Sequence, residues 1–263
     1  MSELWRGGRR PGQVESAEIP ERAWSTPWDA PAVPPFPIGF RDVTVLTVCY
    51  RSDRKAIEQL VPAPLEVISD VVVAHIYRMA DVDFMGRVNE CNVMVGVRLG
   101  ADTTGGYTTA QYLDSPEGVA HGREVHGQPK KLADVSLETH GDLVVGRVTR
   151  NGIDVLTATL PYKQRKCPRE AMLAHYDFSQ NINLKLIPSI DGSVAIRQLT
   201  ARRLQDVQVA ECHTGPCTVE LRPNAQAPVF RLPVREPLDG FLWQTDFTLT
   251  EGRVLHDYSA GQS

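Results

Sequence analysis

The sequence predicts an α+β fold that consists mainly of antiparallel β-sheet. Short segments rich in β-branched and aromatic residues recur along the 263 residues, and turn-forming residues separate them. Asn151-Gly152 stands between two such segments, which strongly indicates a β-hairpin. Apolar residues make up 42% of the chain, which is enough for a sizeable core. We therefore expect one sheet-rich domain with a few short helices.

The predicted strands follow one another through most of the chain. Val93, Val95 and Val97 alternate with other residues, so their strand is expected to be buried on one face only. Capping residues and apolar spacing predict short helices over residues 54–60 and 116–123. The predicted strands are residues 43–50, 71–79, 91–99, 107–113, 135–137, 143–149, 155–160, 181–188, 195–204, 218–221 and 242–249.

Residues 1–37 are predicted to form a proline-rich arm in front of a domain that spans residues 38–263. Proline fixes the backbone and removes an N–H donor, so the prolines of this segment argue against a helix or strand. Trp5, Trp24 and Trp28 indicate that part of the arm packs on the domain or on a neighbouring subunit. A disordered tail is the alternative for the start of the arm.

Composition and charge argue against several classes of protein. The formal net charge is -4 with both signs interspersed, whereas nucleic-acid-binding domains are commonly basic, so no nucleic-acid partner is expected. The apolar runs are too short for a membrane span, and none follows the N-terminal arginines as in a secretory signal. The five cysteines form no Cys-x-x-Cys pair, so we expect reduced thiols in a cytoplasmic protein. No metal-binding or nucleotide-binding motif is visible, and no cofactor is expected.

Residues 122–132 combine a lysine pair with two glycines and several ionisable groups. Lys130 and Lys131 directly follow Pro129. The usual interpretation of such a lysine pair is that it lies on the solvated surface. A lysine amine attacks a ketone carbonyl only when it is neutral, and an ordinary lysine with a pKa of about 10.4 is almost wholly charged at pH 7. A lysine with this function therefore needs burial or a neighbouring cation to lower its pKa.

A family resemblance gives this stretch a context. Gly122-Arg123-Glu124 followed by Pro129-Lys130-Lys131-Leu132 resembles the active-site motif of the acetoacetate decarboxylase superfamily, and the resemblance extends over residues 36–258. It implies a curved antiparallel sheet that closes into a cone-like barrel around a buried pocket, with peripheral helices. It also implies a homo-oligomer that acts on a small keto acid. Other matching segments are residues 50–53, 61–66, 112–114, 162–163, 184–188, 191–192, 214–216 and 232–234.

By this resemblance Lys130 is the lysine that forms a Schiff base, Lys131 is an auxiliary lysine, and Glu90 is a catalytic glutamate. Glu90 would move a proton or orient the substrate, whereas the alternative is an exposed glutamate before a strand. Adjacent side chains of a strand point to opposite faces. We therefore expect burial of the Lys130 amine, more than the charge of Lys131, to favour its neutral form.

Two positions differ from the pattern of acetoacetate decarboxylases. Val43 stands where they have an arginine suited to the substrate carboxylate, and His75 stands where they have a glutamate that supports this arginine. Because both are replaced, we expect imine chemistry on a substrate other than acetoacetate. His75 falls in a predicted strand, where it either faces the pocket as an acid, base or hydrogen-bond donor or has a structural role.

His126, Gln128 and Tyr112 are further candidates for substrate binding or proton transfer. His126 precedes Lys130 by four residues, where some superfamily members with aldolase-dehydratase activity have a polar residue. A loop histidine without a function is the alternative.

Together these residues predict a cofactor-independent, imine-forming lyase that acts through Lys130. The predicted reaction is decarboxylation of a β-keto acid other than acetoacetate. One alternative is an aldolase-dehydratase that condenses a 2-oxo acid such as pyruvate with an aldehyde. Another is a protein that binds a small molecule in this pocket without turnover.

Overall fold

The computed structural model describes residues 18–21, 23–174, 176 and 180–259, which form an 11-stranded sheet and a 4-stranded sheet. The strands are β1 (Ile38–Arg51), β2 (Glu66–Val82), β3 (Gly86–Leu99), β4 (Thr103–Leu113), β5 (Lys130–Leu132), β6 (Asp134–His140), β7 (Leu143–Arg150), β8 (Ile153–Pro161), β9 (Arg165–Lys166), β10 (Asn181–Pro188), β11 (Val194–Arg202), β12 (Leu204–Pro216), β13 (Thr218–Leu221), β14 (Glu236–Leu249) and β15 (Arg253–Asp257).

The larger sheet has the hydrogen-bonded order β15-β11-β10-β4-β3-β2-β1-β14-β12-β9, with β5 added beside β4. Its neighbouring strands are antiparallel except that β10 and β5 each run parallel to β4. The smaller sheet has the antiparallel order β13-β8-β7-β6. Among the described strands, β15 and β9 end the larger sheet without pairing with each other. The mainly antiparallel α+β fold is confirmed, but its expected closure into a cone-like barrel is not.

The described helices are short and lie between strands. They are α1 (Arg54–Glu58), α2 (Pro116–His121), α3 (Arg169–Leu173), a π-helical turn (Gly122–His126) and a 3-10 helix (Pro228–Arg231). Ser115 caps α2, because its hydroxyl accepts a hydrogen bond of 3.0 Å from the Gly118 N–H. The π-helical turn continues α2 and ends at Gly127, whose φ of 73° lies in the left-handed region that glycine adopts readily. This turn leads the chain into β5.

The smaller sheet packs on one face of the larger sheet and forms the main core with it. Leu46 and Ile76 of the larger sheet are fully buried there together with Val144 and Val148 of the smaller sheet. Burial of a side chain of this size contributes roughly 1.5–3 kcal/mol. The two sheets approach closely at Gly146, where a Cβ atom would lie 2.5 Å from Ile76 Cδ1.

The opposite face of the larger sheet carries a row of polar side chains across five neighbouring strands. The strand register places Thr47 beside His75 and His75 beside Asn92. It then places Asn92 beside Gln111 and Gln111 beside Lys130. Paired residues of neighbouring strands point to the same face of a sheet. The register therefore brings Lys130 together with polar residues that are distant in the sequence.

Most strand and helix predictions are confirmed. Each predicted strand corresponds to an observed one, and the Asn151-Gly152 turn joins β7 and β8 with positive φ at both residues. The prediction that β3 is buried on one face only is wrong, since Asn92 and Met94 on its other face are buried too. These two residues line a cavity together with Met172 of α3, which covers this face. The strands β5, β9, β12 and β15 are not predicted.

The described part of the arm, residues 18–21 and 23–37, contains no helix or strand. The Phe36 ring packs on His121 and His126, with centroid distances of 5.3 and 5.4 Å, and the Trp24 ring lies 6.0 Å from Phe36. Trp24 thus packs on Phe36, the residue of the arm that contacts the domain. Trp5 lies outside the described residues. The division at residue 37 stays a prediction. In the described residues, no helix is long and apolar enough to cross a membrane.

Candidate active site

Lys130 begins β5, and its side chain runs past Gly122 in the π-helical turn. A Cβ atom at Gly122 would overlap the Cδ atom of Lys130 and would lie 2.6 Å from its Cε atom. Only glycine therefore leaves room for the lysine side chain in this arrangement. The pairing of β5 with β4 places Lys130 beside Gln111 and fixes the face to which the amine points.

Glu90 is the direct partner of Lys130. Its Oε2 atom lies 3.0 Å from the Lys130 Nζ atom, and the two side chains are only 12% and 10% exposed. Gln111 donates a hydrogen bond of 2.6 Å from its Nε2 atom to the other carboxylate oxygen, Oε1. Glu90 is thus held at both oxygens, at a distance where it can accept a proton that Lys130 gives up.

Lys130 and Glu90 line a cavity of about 50 Å³ whose wall is mainly apolar. We call it the lysine cavity. A largely apolar wall with a few convergent polar groups is typical of a site for a small molecule. Its polar lining residues are Tyr77, Glu90, His121, Gln128, Lys130 and Arg202. Its apolar lining residues are Phe40, Met79, Val82, Met85, Val88, Leu113, Leu204, Phe247 and Leu249. In the described part of the chain, no cluster of histidine, cysteine and carboxylate side chains could hold a metal ion.

Tyr77, His121 and Arg202 line the lysine cavity but are not predicted from the sequence. Tyr77 could have been found, because it lies two residues after His75 in the same strand and so points to the same face. Burial, and then the charges of Lys130 and Arg202, lower the pKa of His121 to about 4, so its imidazole is neutral at pH 7. Arg202 comes from the end of β11, where no local motif marks it.

Lys131 points away from the lysine cavity. Its Nζ atom donates a hydrogen bond of 2.8 Å to the Gln226 carbonyl oxygen, and the side chain does not line the cavity. Burial, followed by the charges of Arg150 and Arg123, lowers the pKa of Lys131. The structure therefore separates the two amines, and an auxiliary role for Lys131 stays a prediction.

His75 lines a second cavity of about 240 Å³, which shares three lining residues with the lysine cavity, among them Arg202. The Thr47 hydroxyl accepts a hydrogen bond of 2.9 Å from Trp243 Nε1 and lies 2.8 Å from His75 Nδ1. Burial lowers the pKa of His75 to about 3, so the ring is neutral at pH 7. His75 thus faces a cavity next to the one that Lys130 lines.

Of the two candidates that closely precede Lys130, His126 ends the π-helical turn, and only Gln128 lines the lysine cavity. Its Nε2 atom is enclosed and has no hydrogen-bond partner, so it is available to a ligand. His126 is buried behind the cavity, with its ring 5.5 Å from that of His121. Burial first, and then the charge of Arg202, lower the pKa of His126 to about 2.

Tyr112 and Val43 contribute no polar group to the lysine cavity. Tyr112 follows Gln111 in β4, so it points to the other face, where it is buried in the core between the sheets. Val43 pairs with Met79 and is fully buried among apolar side chains. The position at which the family resemblance suggests an arginine therefore carries no charge here.

Comparisons with known proteins show which family the chain resembles along its length. A family model described as acetoacetate decarboxylase (ADC) matches residues 23–259. The chain is 38% identical over 243 residues to acetoacetate decarboxylase 1 of Bradyrhizobium diazoefficiens, a match that covers 92% of this chain and 96% of that protein. It is 36% identical over 247 residues to an acetoacetate decarboxylase of Acidiphilium cryptum, which covers 94% and 100%. A crystal structure of acetoacetate decarboxylase from Legionella pneumophila superposes with a TM-score of 0.84 at 32% identity and covers 94% and 100%.

Proposed function

Because the chain belongs to the acetoacetate decarboxylase family, we propose that it is a lyase that forms a Schiff base through Lys130 with a small keto acid. The proposed reaction is decarboxylation of a β-keto acid other than acetoacetate. The observation that carries this proposal is the enclosed pair of Lys130 and Glu90, 3.0 Å apart in a mainly apolar cavity.

The proposed reaction begins with transfer of a proton from Lys130 to Glu90. The neutral Nζ atom attacks the keto carbon, and the carbonyl oxygen leaves as water with the two protons that the nitrogen loses. Glu90 then returns its proton to the imine nitrogen. The bond to the carboxylate carbon breaks, CO2 leaves, and the electron pair moves to the protonated imine nitrogen to give a neutral enamine. A proton from water goes to the α-carbon and restores the protonated imine, which water hydrolyses to the ketone and Lys130.

The apolar wall of the lysine cavity supports the decarboxylation step. Decarboxylation converts a protonated imine and a carboxylate into a neutral enamine and neutral CO2. The nine apolar lining residues favour this loss of charge at the reacting group.

The residues at positions 43 and 75 support a substrate other than acetoacetate. Val43 is packed in an apolar cluster and His75 hydrogen-bonds with Thr47 in the neighbouring cavity, so neither offers a charge to a substrate in the lysine cavity. The carboxylate of this enzyme's substrate is therefore bound in a different way.

An aldolase-dehydratase is a second candidate, favoured by the cavity of about 240 Å³ beside the lysine cavity. Condensation of a 2-oxo acid with an aldehyde needs room for two reactants, and the two cavities share part of their wall.

Two assays on the same purified protein separate these candidates. Release of CO2 from a panel of β-keto acids of increasing chain length measures decarboxylation. New ultraviolet absorbance from pyruvate with a panel of aldehydes measures condensation and dehydration. We expect CO2 release that Lys130→Arg abolishes. Activity in the second assay alone would identify an aldolase-dehydratase and not a decarboxylase. Ligand binding without activity in either assay would support a protein that binds a small molecule without turnover.

A further inference from the structure

Arg202 places a guanidinium between the two cavities. Its side chain lines both of them, and its Nε atom is enclosed without a hydrogen-bond partner. Among the described residues, no carboxylate forms an ion pair with it. Arg202 is half-buried, and a guanidinium partly removed from water without a carboxylate partner is costly, so this arginine favours binding of an anion supplied by a ligand.

The other charges that face the lysine cavity are already engaged or absent at pH 7. The carboxylate of Glu90 lies 3.0 Å from the Lys130 amine. His121 is neutral, because its pKa is lowered to about 4 by burial, and Tyr77 is neutral, because burial and the charge of Glu90 raise its pKa. The charge of Glu90 also acts on Arg202, but of the described residues that line this cavity Arg202 is the cation that forms no salt bridge with a carboxylate.

We propose that Arg202 binds the carboxylate of the keto acid whose carbonyl group reacts with Lys130. This inference rests on the proposed function and adds the residue that recognises the acid group. A planar guanidinium can bind a carboxylate through two parallel hydrogen bonds, which fixes the orientation of the ligand as well as its position. The remaining wall fits a hydrocarbon substituent, since Phe40, Met85 and Phe247 lie in it.

This arrangement assigns each part of the substrate to a different part of the cavity. Lys130 takes the carbonyl carbon, Arg202 takes the carboxylate, and the apolar wall takes the substituent. Because Arg202 holds the acid group in the bound substrate, its contribution is to binding and selectivity for acids over neutral ketones.

Trapping of the imine tests this role without the need for turnover. Levulinate is a keto acid whose carboxylate is too far from the carbonyl to be lost through an imine, and methyl propyl ketone has the same carbon skeleton without the carboxylate oxygens and their charge. Each is titrated against the protein in the presence of borohydride, and the adduct on the Lys130 peptide is measured by mass spectrometry. We expect half-maximal labelling at an at least tenfold lower concentration of levulinate than of methyl propyl ketone.

Arg202→Gln is expected to remove most of this preference and to leave labelling by methyl propyl ketone within about twofold. Arg202→Lys keeps the charge without the planar guanidinium, so it is expected to keep part of the preference for levulinate. It serves as the test variant if Arg202→Gln does not fold. Arg197→Gln, at an exposed position of the same strand, is the matched control and is expected to behave as the unsubstituted protein.

Two results would overturn the inference while leaving the proposed function intact. One is an unchanged preference for levulinate in folded Arg202→Gln, and the other is an equal loss of labelling by both compounds. If neither compound labels Lys130 in the unsubstituted protein, this inference fails, and the proposed function fails with it only when every other keto acid also gives no adduct on Lys130.

Discussion

Glu90 Oε2 lies 3.0 Å from Lys130 Nζ, although 40 positions separate the two residues in the sequence and neither side chain is more than 12% exposed. A carboxylate so close to an enclosed amine is placed to accept a proton from the lysine. Gln111, which donates to the other oxygen of Glu90, holds the carboxylate in that position. The pair therefore brings the proposed nucleophile and its proposed base into one contact.

Replacement of Glu90 tests its role as a proton acceptor. Glu90→Gln keeps the size of the side chain but cannot take a proton, so turnover is expected to fall by about 10²–10⁴-fold. Steady-state kinetics and the rate of imine trapping are the measurements. Glu66→Gln, which removes an exposed partner of Arg98, is the matched control and should retain full activity. Undiminished turnover in Glu90→Gln would exclude Glu90 as the base.

Gly122→Ala tests whether the glycine makes room for the lysine. The new methyl group would overlap Lys130 Cδ, so the amine must move, and displacements of about 1 Å can cost about 100-fold in rate. We expect a folded protein with strongly reduced kcat. In the control Gly215→Ala, the nearest atom to the methyl group is the flexible end of Gln164, 2.9 Å away, and Pro161 and Leu160 lie at ordinary contact distances, so activity should be kept. Equal activities of the two variants would contradict this role of Gly122.

Lys131→Met tests the separation of the two amines. The hydrogen bond from Lys131 to the Gln226 carbonyl is lost, which is expected to lower the free energy of unfolding by about 1 kcal/mol. Because this amine lies outside the lysine cavity, imine trapping at Lys130 should persist at a reduced rate. Thermal denaturation and borohydride trapping measure the two effects. Complete loss of trapping in a folded variant would instead give Lys131 an essential part in the reaction.

The burial of three neutral histidines predicts that the free energy of unfolding decreases on mild acidification. Burial lowers the pKa of His75 to about 3, and the pKa values of His121 and His126 are lowered to about 4 and about 2. In the unfolded chain these groups titrate near ~6.5. Below that pH the unfolded state binds more protons than the folded state. The stability present above pH 6.5 is therefore lost as the pH falls, by up to about 1.4 kcal/mol per pH unit for each histidine.

Urea unfolding between pH 8 and pH 5 measures this slope. His75→Asn should make the slope shallower, whereas His140→Gln, at an exposed position, should leave it unchanged. A free energy of unfolding that stays constant from pH 7 to pH 5 would contradict the burial of these neutral rings.

Local sequence patterns predict much of the fold because strands and turns have local signals. The alternation of β-branched residues and the Asn151-Gly152 turn locate strands well. The family motif likewise identifies Lys130, and the resemblance identifies Glu90, which the structure brings together. The three-residue strand β5 has no pattern of its own, because it exists only through its parallel pairing with β4.

The rest of the site depends on strand register and on which face each side chain occupies. Tyr112 directly follows Gln111, whose side chain binds Glu90, yet a shift of one residue sends Tyr112 into the core between the sheets. Arg202 reaches the lysine cavity from β11, three strands from β5 in the order of the sheet. No local spacing encodes such a contact.

The central claim is that Lys130 forms an imine with a keto acid. The most direct test is borohydride reduction in the presence of a panel of keto acids, followed by peptide mass analysis. We predict a covalent adduct on Lys130, no adduct in Lys130→Arg, and complete loss of turnover in that variant. The absence of an adduct on Lys130 with every keto acid, or full activity of Lys130→Arg, would contradict the claim.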